Sequence, residues 1–208
     1  VLPLSDTVRI VHTRGRLMQE ATPVGVGAMT AVIGENLDVR VIMNTLTGLP
    51  IDVANVNSAQ QVVISGEAKY MSEAESRLTD VLAKDQPVKF VHLNVSAPFH
   101  SRFMSPIEES FGETLRQFQT GMAAEKATGV TSIYTGGFHA DDRAEIIRNL
   151  VSQLSGTVKW MDNMSELSSQ AEKIYEVGPG RPLRAFFQTM DVECSSVTAL
   201  SAAERLFQ

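Results

Sequence analysis

The sequence predicts an α/β protein: a largely parallel-sheet core into which a small ferredoxin-like subdomain is inserted. Three observations predict it. Amphipathic helical stretches alternate with short apolar runs, the pattern of crossover connections in a parallel sheet. Between Ala28 and Leu93 the elements read β-α-β-β-α-β, the split βαβ order. An extended apolar run, Val88 to Val95, leads to Pro98 and His100, and a helical pattern follows. A histidine on such a strand-to-helix turn sits where α/β proteins expose working residues. The expected division is 1–26 and 94–208 for the core and 27–93 for the subdomain.

Each element has a local reason. Ser5 can cap a helix reaching about Glu20, with Val8, Val11 and Met18 near one stripe. After Gly25-Val26-Gly27, Ala28 to Ile33 reads as a strand. Asn36 to Leu46 reads as an amphipathic helix stopped by Gly48-Leu49-Pro50. Ile51 to Val56 and Gln61 to Ser65 are strands joined by Asn57-Ser58-Ala59. Glu67 to Lys84 is a charged helix with Met71, Ala74, Leu78, Val81 and Leu82 inward. Beyond His100 a helix is expected from Pro106 to Gln119, a loop over Ala123 to Gly129 and a short strand over Thr131 to Thr135. Asp141-Asp142 opens a helix with Ile146, Ile147, Leu150, Val151 and Leu154 on its apolar face. Trp160 to Gln170 is another helix, and Ile174 to Val177 a buried strand ended by Gly178-Pro179-Gly180. Leu183 to Met190 reads as helix and Val197 to Leu200 as a last strand.

With 208 residues, 43% of them hydrophobic, the chain can bury one sizeable core. A formal charge of -6 provides no global basic field for nucleic acid or a membrane surface. No apolar run is long enough to span a bilayer, and no signal peptide is visible. The single cysteine rules out an internal disulfide framework and suits a reducing, cytoplasmic setting. The chain opens on Val1 directly before a helical pattern, so it is expected to be part of something longer.

Several motifs are weighed and set aside. Gly25-Val26-Gly27 precedes a strand, whereas a dinucleotide fingerprint follows one and opens a helix. His12, His92 and His139 have no metal-ligand spacing with one another or with Cys194. Cys194 follows Asp191 and Glu193, whose charge would raise its thiol pKa, so it is a poor nucleophile. Arg14-Gly15-Arg16 is ambiguous: helical arginines are usually solvated, yet Arg14 falls beside the apolar stripe, where a guanidinium wants a carboxylate partner.

Read together, these stretches resemble the malonyl-CoA:acyl carrier protein transacylases, the acyltransferases of fatty acid and polyketide synthesis. Arg14 to Ala21 resembles that family's arginine helix, and Gly27 to Gly34 the strand opening its ferredoxin-like subdomain. Asn55 to Gly66 is similar to its Asn-rich hairpin, and Ser96 to Met104 to its histidine segment. Gln153-Leu154 with Val158-Lys159-Trp160, and Tyr175 to Gly180, resemble its later elements. The wording is nearest to free-standing acyltransferases that serve modular polyketide synthases.

The resemblance implies a partial α/β-hydrolase-like core and two-step acyl transfer with no cofactor. A serine attacks the malonyl thioester while His100 takes its proton, and the phosphopantetheine thiol of an acyl carrier protein then collects the malonyl group. It assigns His100 and Gln153 to catalysis, Gln153 as the residue whose backbone carbonyl orients the imidazole. Arg14, Phe99, Met18 and Asn57 are assigned to substrate binding. Arg14 would hold the malonyl carboxylate, and the Phe99 ring would leave little room for an α-methyl group. Arg102 and Lys159 are candidates for contact with the carrier protein.

The departure from the family is the nucleophile. The family carries it in a Gly-His-Ser-Leu-Gly elbow, and no Gly-x-Ser-x-Gly occurs in this sequence. The Gly-Gln-Gly segment that helps build the family's oxyanion hole is also absent. Ser101 adjoins His100 but lies in no elbow. Three readings stay open: part of an acyltransferase completed by a missing N-terminal piece, a carrier-protein binding module, or an acyl hydrolase of the same family. The first expects apolar surface left uncovered on this portion.

Overall fold

The computed structural model describes residues 1–83 and 87–207. Helix α1 (Leu4–Glu20) starts right after Pro3, whose carbonyl accepts the Thr7 hydroxyl at 3.0 Å; Ser5 is inside the helix and caps nothing. Its buried residues are Ile10 and Met18. Val8 and Val11, expected inward, are 58% and 60% exposed. The periodicity is right, but α1 packs on its neighbours along a narrower face than the apolar stripe offers.

The large sheet has five strands in the order β4-β1-β3-β2-β5. Its first four strands, with two helices, form the predicted β-α-β-β-α-β unit: β1 (Gly27–Ile33), α2 (Val39–Thr45), β2 (Ile51–Ser58), β3 (Gln61–Glu67), α3 (Met71–Leu82) and β4 (Lys89–His92). All pairings among these strands are antiparallel. Strand β5 (Val158–Lys159) then joins β2 in parallel, so the sheet extends into the later half of the chain.

Alternation along β1 and β3 divides the apolar side chains between the two faces. Val32, Val62 and Ile64 pack with Ile42 of α2, Leu46 just after it and Leu78 of α3. Met29, Ala31 and Val63 form the opposite face with Ala54, and Phe99 packs on it. A second core gathers Ile10 and Met18 of α1 with Met104, Phe111, Leu115, Ile146, Ile147 and Leu154. Phe99 borders both cores. Full burial of such side chains is worth about 1.5–3 kcal/mol each.

Several boundaries differ from expectation for identifiable reasons. Helix α2 starts after Asp38, whose carboxylate accepts from the backbone N–H of Arg40 (2.8 Å) and Val41 (3.3 Å). Asn36 stands before it with φ 49°. The predicted end of α3, Lys84, lies outside the described residues. Strand β4 stops at His92, and the Val95 N–H turns back onto the Leu93 carbonyl at 2.9 Å. Arg102–Ile107 is 3₁₀, and helix α4 (Glu108–Gln117) starts beyond Pro106, two residues later than expected. Ala124–Gly129, read as loop, is also 3₁₀.

The predicted strand 131–135 is instead a turn, with one bridge between Thr131 and Phe138. Helix α5 (Arg143–Ser152) is capped by Asp142, which accepts from the Glu145 N–H at 2.9 Å, and α6 (Trp160–Gln170) has its predicted limits. The parallel pair β6 (Ile174–Val177) and β7 (Cys194–Val197) flanks α7 (Pro182–Gln188). The last strand therefore lies three residues earlier than expected, and Leu200–Leu206 is a helix, α8. Buried Glu176 explains the turn after β6: its carboxylate accepts the Leu183 and Arg184 N–H groups at 2.8 and 3.1 Å, capping α7.

Candidate active site

His100 sits on the turn between β4 and the 3₁₀ segment, with φ 55°, a left-handed conformation that costs a non-glycine residue energy. Neighbouring bonds hold it there. The Phe99 N–H bonds to the Ala97 carbonyl at 3.0 Å, and the buried Ser101 hydroxyl donates to the Pro98 carbonyl at 2.6 Å. Ser101 is thereby committed to the turn. Gly27 is required underneath: a Cβ there would lie 2.1 Å from Pro98 Cδ.

His100 Nδ1 is 2.8 Å from the backbone oxygen of Gln153. A carbonyl only accepts, so Nδ1 carries the proton and Nε2 holds the free lone pair. Gln153 is the residue after the last turn of α5, where helix carbonyls lack intrahelical partners and the helix dipole is negative. Burial pushes the imidazole pKa below its ordinary 6.5, the Gln153 carbonyl opposes that, and the positive charge of Arg14 adds to the lowering. The neutral, base-competent form is favoured.

The two arginines of α1 now separate. Arg16 pairs with Glu20 at 3.0 Å on the solvated face. Arg14 is half-buried, and burial lowers its own pKa. Among the described residues it has no carboxylate within ion-pair distance, so its charge is available to an anion.

Arg14, Met18, Phe99 and His100 line one cavity of about 370 Å³, with Gly15, Met29, Asn55, Leu93 and Val95. These side chains include no hydroxyl or thiol. Asn57 is elsewhere: its amide donates to Gln61 Oε1 at 2.8 Å. On a regular strand Asn55 and Asn57 would share a face, but β2 shifts register between Val56 and Ser58, and Asn55 takes the cavity position. Sequence reasoning missed Met29, Leu93 and Val95, whose apolar character signals only burial. Arg14 and His100 also line a second, largely apolar cavity of about 470 Å³, together with Gln153, Thr7, Ile10, Phe111 and Leu115 among others. A groove of about 480 Å³ beside α2 holds neither Arg14 nor His100.

The remaining candidates are apart from this site. Cys194 is buried, and its thiol is pushed up by that burial and by Glu176, not by the sequence-adjacent Asp191 and Glu193. Arg102 is tied to Asp52, and Lys159 is exposed on β5. Among the described residues no helix is long and apolar enough to cross a membrane.

No family model matches the chain. It is 34% identical over 206 residues to the malonyl CoA-acyl carrier protein transacylase of Staphylococcus aureus, covering 96% of this chain and 64% of that protein. Its fold superimposes on the malonyl CoA-acyl carrier protein transacylase of Coxiella burnetii with a TM-score of 0.81 at 27% identity, covering 99% of this chain and 64% of that one. A malonyl-transacylase solved in complex with a type II polyketide synthase acyl-carrier protein gives a TM-score of 0.78 at 26% identity, covering 97% and 64%. The chain thus spans 64% of the length of the curated relative. Over that span, its sequence and its fold are similar to those of malonyl-CoA:acyl carrier protein transacylases.

Proposed function

We propose that this chain supplies the base and the carboxylate clamp of a malonyl-CoA:acyl carrier protein acyltransferase. The observation that carries the reading is one cavity in which an anion-free guanidinium, Arg14, and an imidazole with a free Nε2, His100, share the lining. A malonyl group pairs these needs: its carboxylate meets Arg14 while its thioester lies toward His100. The histidine-orienting carbonyl belongs to Gln153; Met18 and Phe99 wall the acyl group, and Asn55 takes the polar contact expected of Asn57.

In the first half-reaction a serine oxygen attacks the thioester carbonyl. His100 Nε2 takes the hydroxyl proton, the C–O bond forms, the C–S bond breaks, and the proton passes to the departing CoA sulfur. In the second, the phosphopantetheine thiol of a carrier protein gives its proton to Nε2, and its sulfur attacks the serine ester. The C–S bond forms, and the serine oxygen leaves with the proton. The reading requires a serine that these 208 residues do not place in the cavity. We assign 1–26 and 94–208 to the acyltransferase core and 27–93 to the subdomain that closes over it. Arg14 counts against an acyl hydrolase, which would have no use for a carboxylate clamp.

The test is intact mass after addition of malonyl-CoA without carrier protein. A malonyl-sized increase is expected on a species bearing the serine, either a longer form of this chain or a chain that co-purifies with it. Arg14→Ala should remove malonyl loading and spare acetyl loading; truncating one partner of a buried charge pair costs about 2–5 kcal/mol. Equal loss of both acyl groups would refute the clamp.

A further inference from the structure

The segment after His100 has no cap of its own. Ser101 precedes the 3₁₀ turn Arg102–Ile107, yet its side chain caps nothing there, being bonded back to the Pro98 carbonyl. The cap comes from fifty residues earlier in the chain: Asp52 Oδ2 accepts the Arg102 backbone N–H at 2.9 Å. The same carboxylate takes the Arg102 guanidinium through Nε at 3.1 and 3.0 Å and through Nη2 at 2.5 Å. Asp52 is on β2, paired with Ser65 of β3 in the large sheet. One carboxylate therefore joins the sheet to the chain two residues beyond the imidazole.

An exposed ion pair alone is worth little, and the Arg102 side chain is 58% exposed. The backbone contact is different. It fixes a main-chain N–H whose position depends on the left-handed His100 and on Ser101. Loss of that anchor frees His100 to leave φ 55° for an ordinary conformation, which turns its ring away from the Gln153 carbonyl.

We propose that Asp52 is a positioning residue: by capping the chain just after His100, it holds the turn that aims the imidazole at the Gln153 carbonyl and Nε2 at the cavity. Its bearing on catalysis rests on the reading of His100 as the base, whereas its effect on the ring does not. Asp52 touches no reacting atom and acts through Arg102 N–H and the His100 backbone.

The test is ¹⁵N NMR of histidine-labelled chain. The wild type should show a protected Nδ1–H for His100 and titration below the ordinary histidine value. Asp52→Ala should lose that protection and move the titration up toward the ordinary value as water reaches the ring. Asp52→Asn retains an acceptor for the backbone N–H and should preserve both signals, as should Arg102→Ala, which retains that N–H. Asp52→Thr, which suits a strand and is too short to span the same contacts, replaces Asp52→Ala if that variant does not fold.

In a form of the protein that loads malonyl, Asp52→Ala should lower kcat about tenfold to a hundredfold with KM little changed, the scale of a small misplacement of a reacting group. A folded Asp52→Ala or Asp52→Thr chain with wild-type His100 signals would overturn the proposal. So would Arg102→Ala matching Asp52→Ala, since the contact would then be only a surface ion pair. If the signals respond as expected and no serine-bearing form of the protein loads malonyl, the positioning role stands and the acyltransferase reading fails.

Discussion

His100 Nδ1 lies 2.8 Å from the main-chain oxygen of Gln153, and the Gln153 side chain takes no part in the contact. The imidazole is oriented by the end of a helix instead of by a carboxylate. In serine hydrolases built on a carboxylate, replacing that group costs about 10⁴ in kcat because the wrong tautomer is left. Here the orienter cannot be deleted by a side-chain change. Gln153→Ala should keep malonyl loading within about twofold of wild type, while His100→Ala abolishes it. Rapid-quench measurement of acyl-enzyme formation checks both; a Gln153→Ala defect as deep as His100→Ala would show that the side chain orients the ring.

The pH dependence follows from the lowered pKa of His100. In the proposed reaction His100 must be neutral, so kcat/KM should fall on acidification with an inflection below 6.5. Removing the Arg14 charge should move the inflection up, read on the acetyl group that the variant still loads, since that charge disfavours the imidazolium, while burial continues to hold it low. Stability follows the same direction. An unfolded histidine takes its proton first, so the contribution of neutral His100 is present above 6.5 and is lost as pH falls through the folded value. His139, also lowered by burial, adds to the effect. Chemical denaturation between about pH 7.5 and 5, a span around the ordinary histidine value, should show stability falling as the pH is lowered.

Phe99 is half-buried and packs against both cores. Phe99→Ala should enlarge the cavity toward an α-methyl group, narrowing the preference for malonyl over methylmalonyl by about 1–3 kcal/mol, the range of a one-methyl discrimination. It should also lower stability by about 2 kcal/mol, less than a fully buried phenylalanine costs. Competition between the two CoA esters measures the first effect and urea unfolding the second. Lost stability with unchanged preference would leave Phe99 a packing residue.

Gly27→Ala probes the floor beneath the histidine turn. Its Cβ would meet the Pro98 ring at 2.1 and 2.6 Å and the Pro98 nitrogen at 2.7 Å, so the main chain must shift. We expect a loss of about 1–3 kcal/mol, the usual cost of overpacking, together with slower acyl-enzyme formation. At Gly25 a Cβ meets nothing within 4 Å, although φ is 84°. Gly25→Ala should therefore act through backbone strain alone, with acyl-enzyme formation unaffected in the folded protein. Thermal melts beside loading rates separate the two glycines.

The β-α-β-β-α-β unit was legible because it is written in local terms. Short apolar runs such as Ala28 to Ile33 and a period-3.6 face on Met71, Ala74, Leu78 and Leu82 need no distant partner to be recognised. The turn at His100 was legible for the same reason: an apolar run, a proline and a helical pattern succeed one another. The resemblance pointed to Gln153, and the structure shows why no pattern of side chains could have: a main-chain carbonyl looks the same at every residue.

Sequence by itself determined which residues of this protein can do chemistry: a guanidinium at Arg14, an imidazole at His100, and apolar walls around them. Tertiary structure alone decided which of them meet. Arg14 and Arg16 sit on one helix, and only the packing of α1 sends one to a cavity and the other to Glu20. Asn55 rather than Asn57 enters that cavity because of a register shift in β2. Asp52 reaches Arg102 across fifty residues because the sheet brings β2 beside the histidine turn. Local patterns set the conformation of a segment, but a site is a set of long-range distances, and those are fixed only when the cores close.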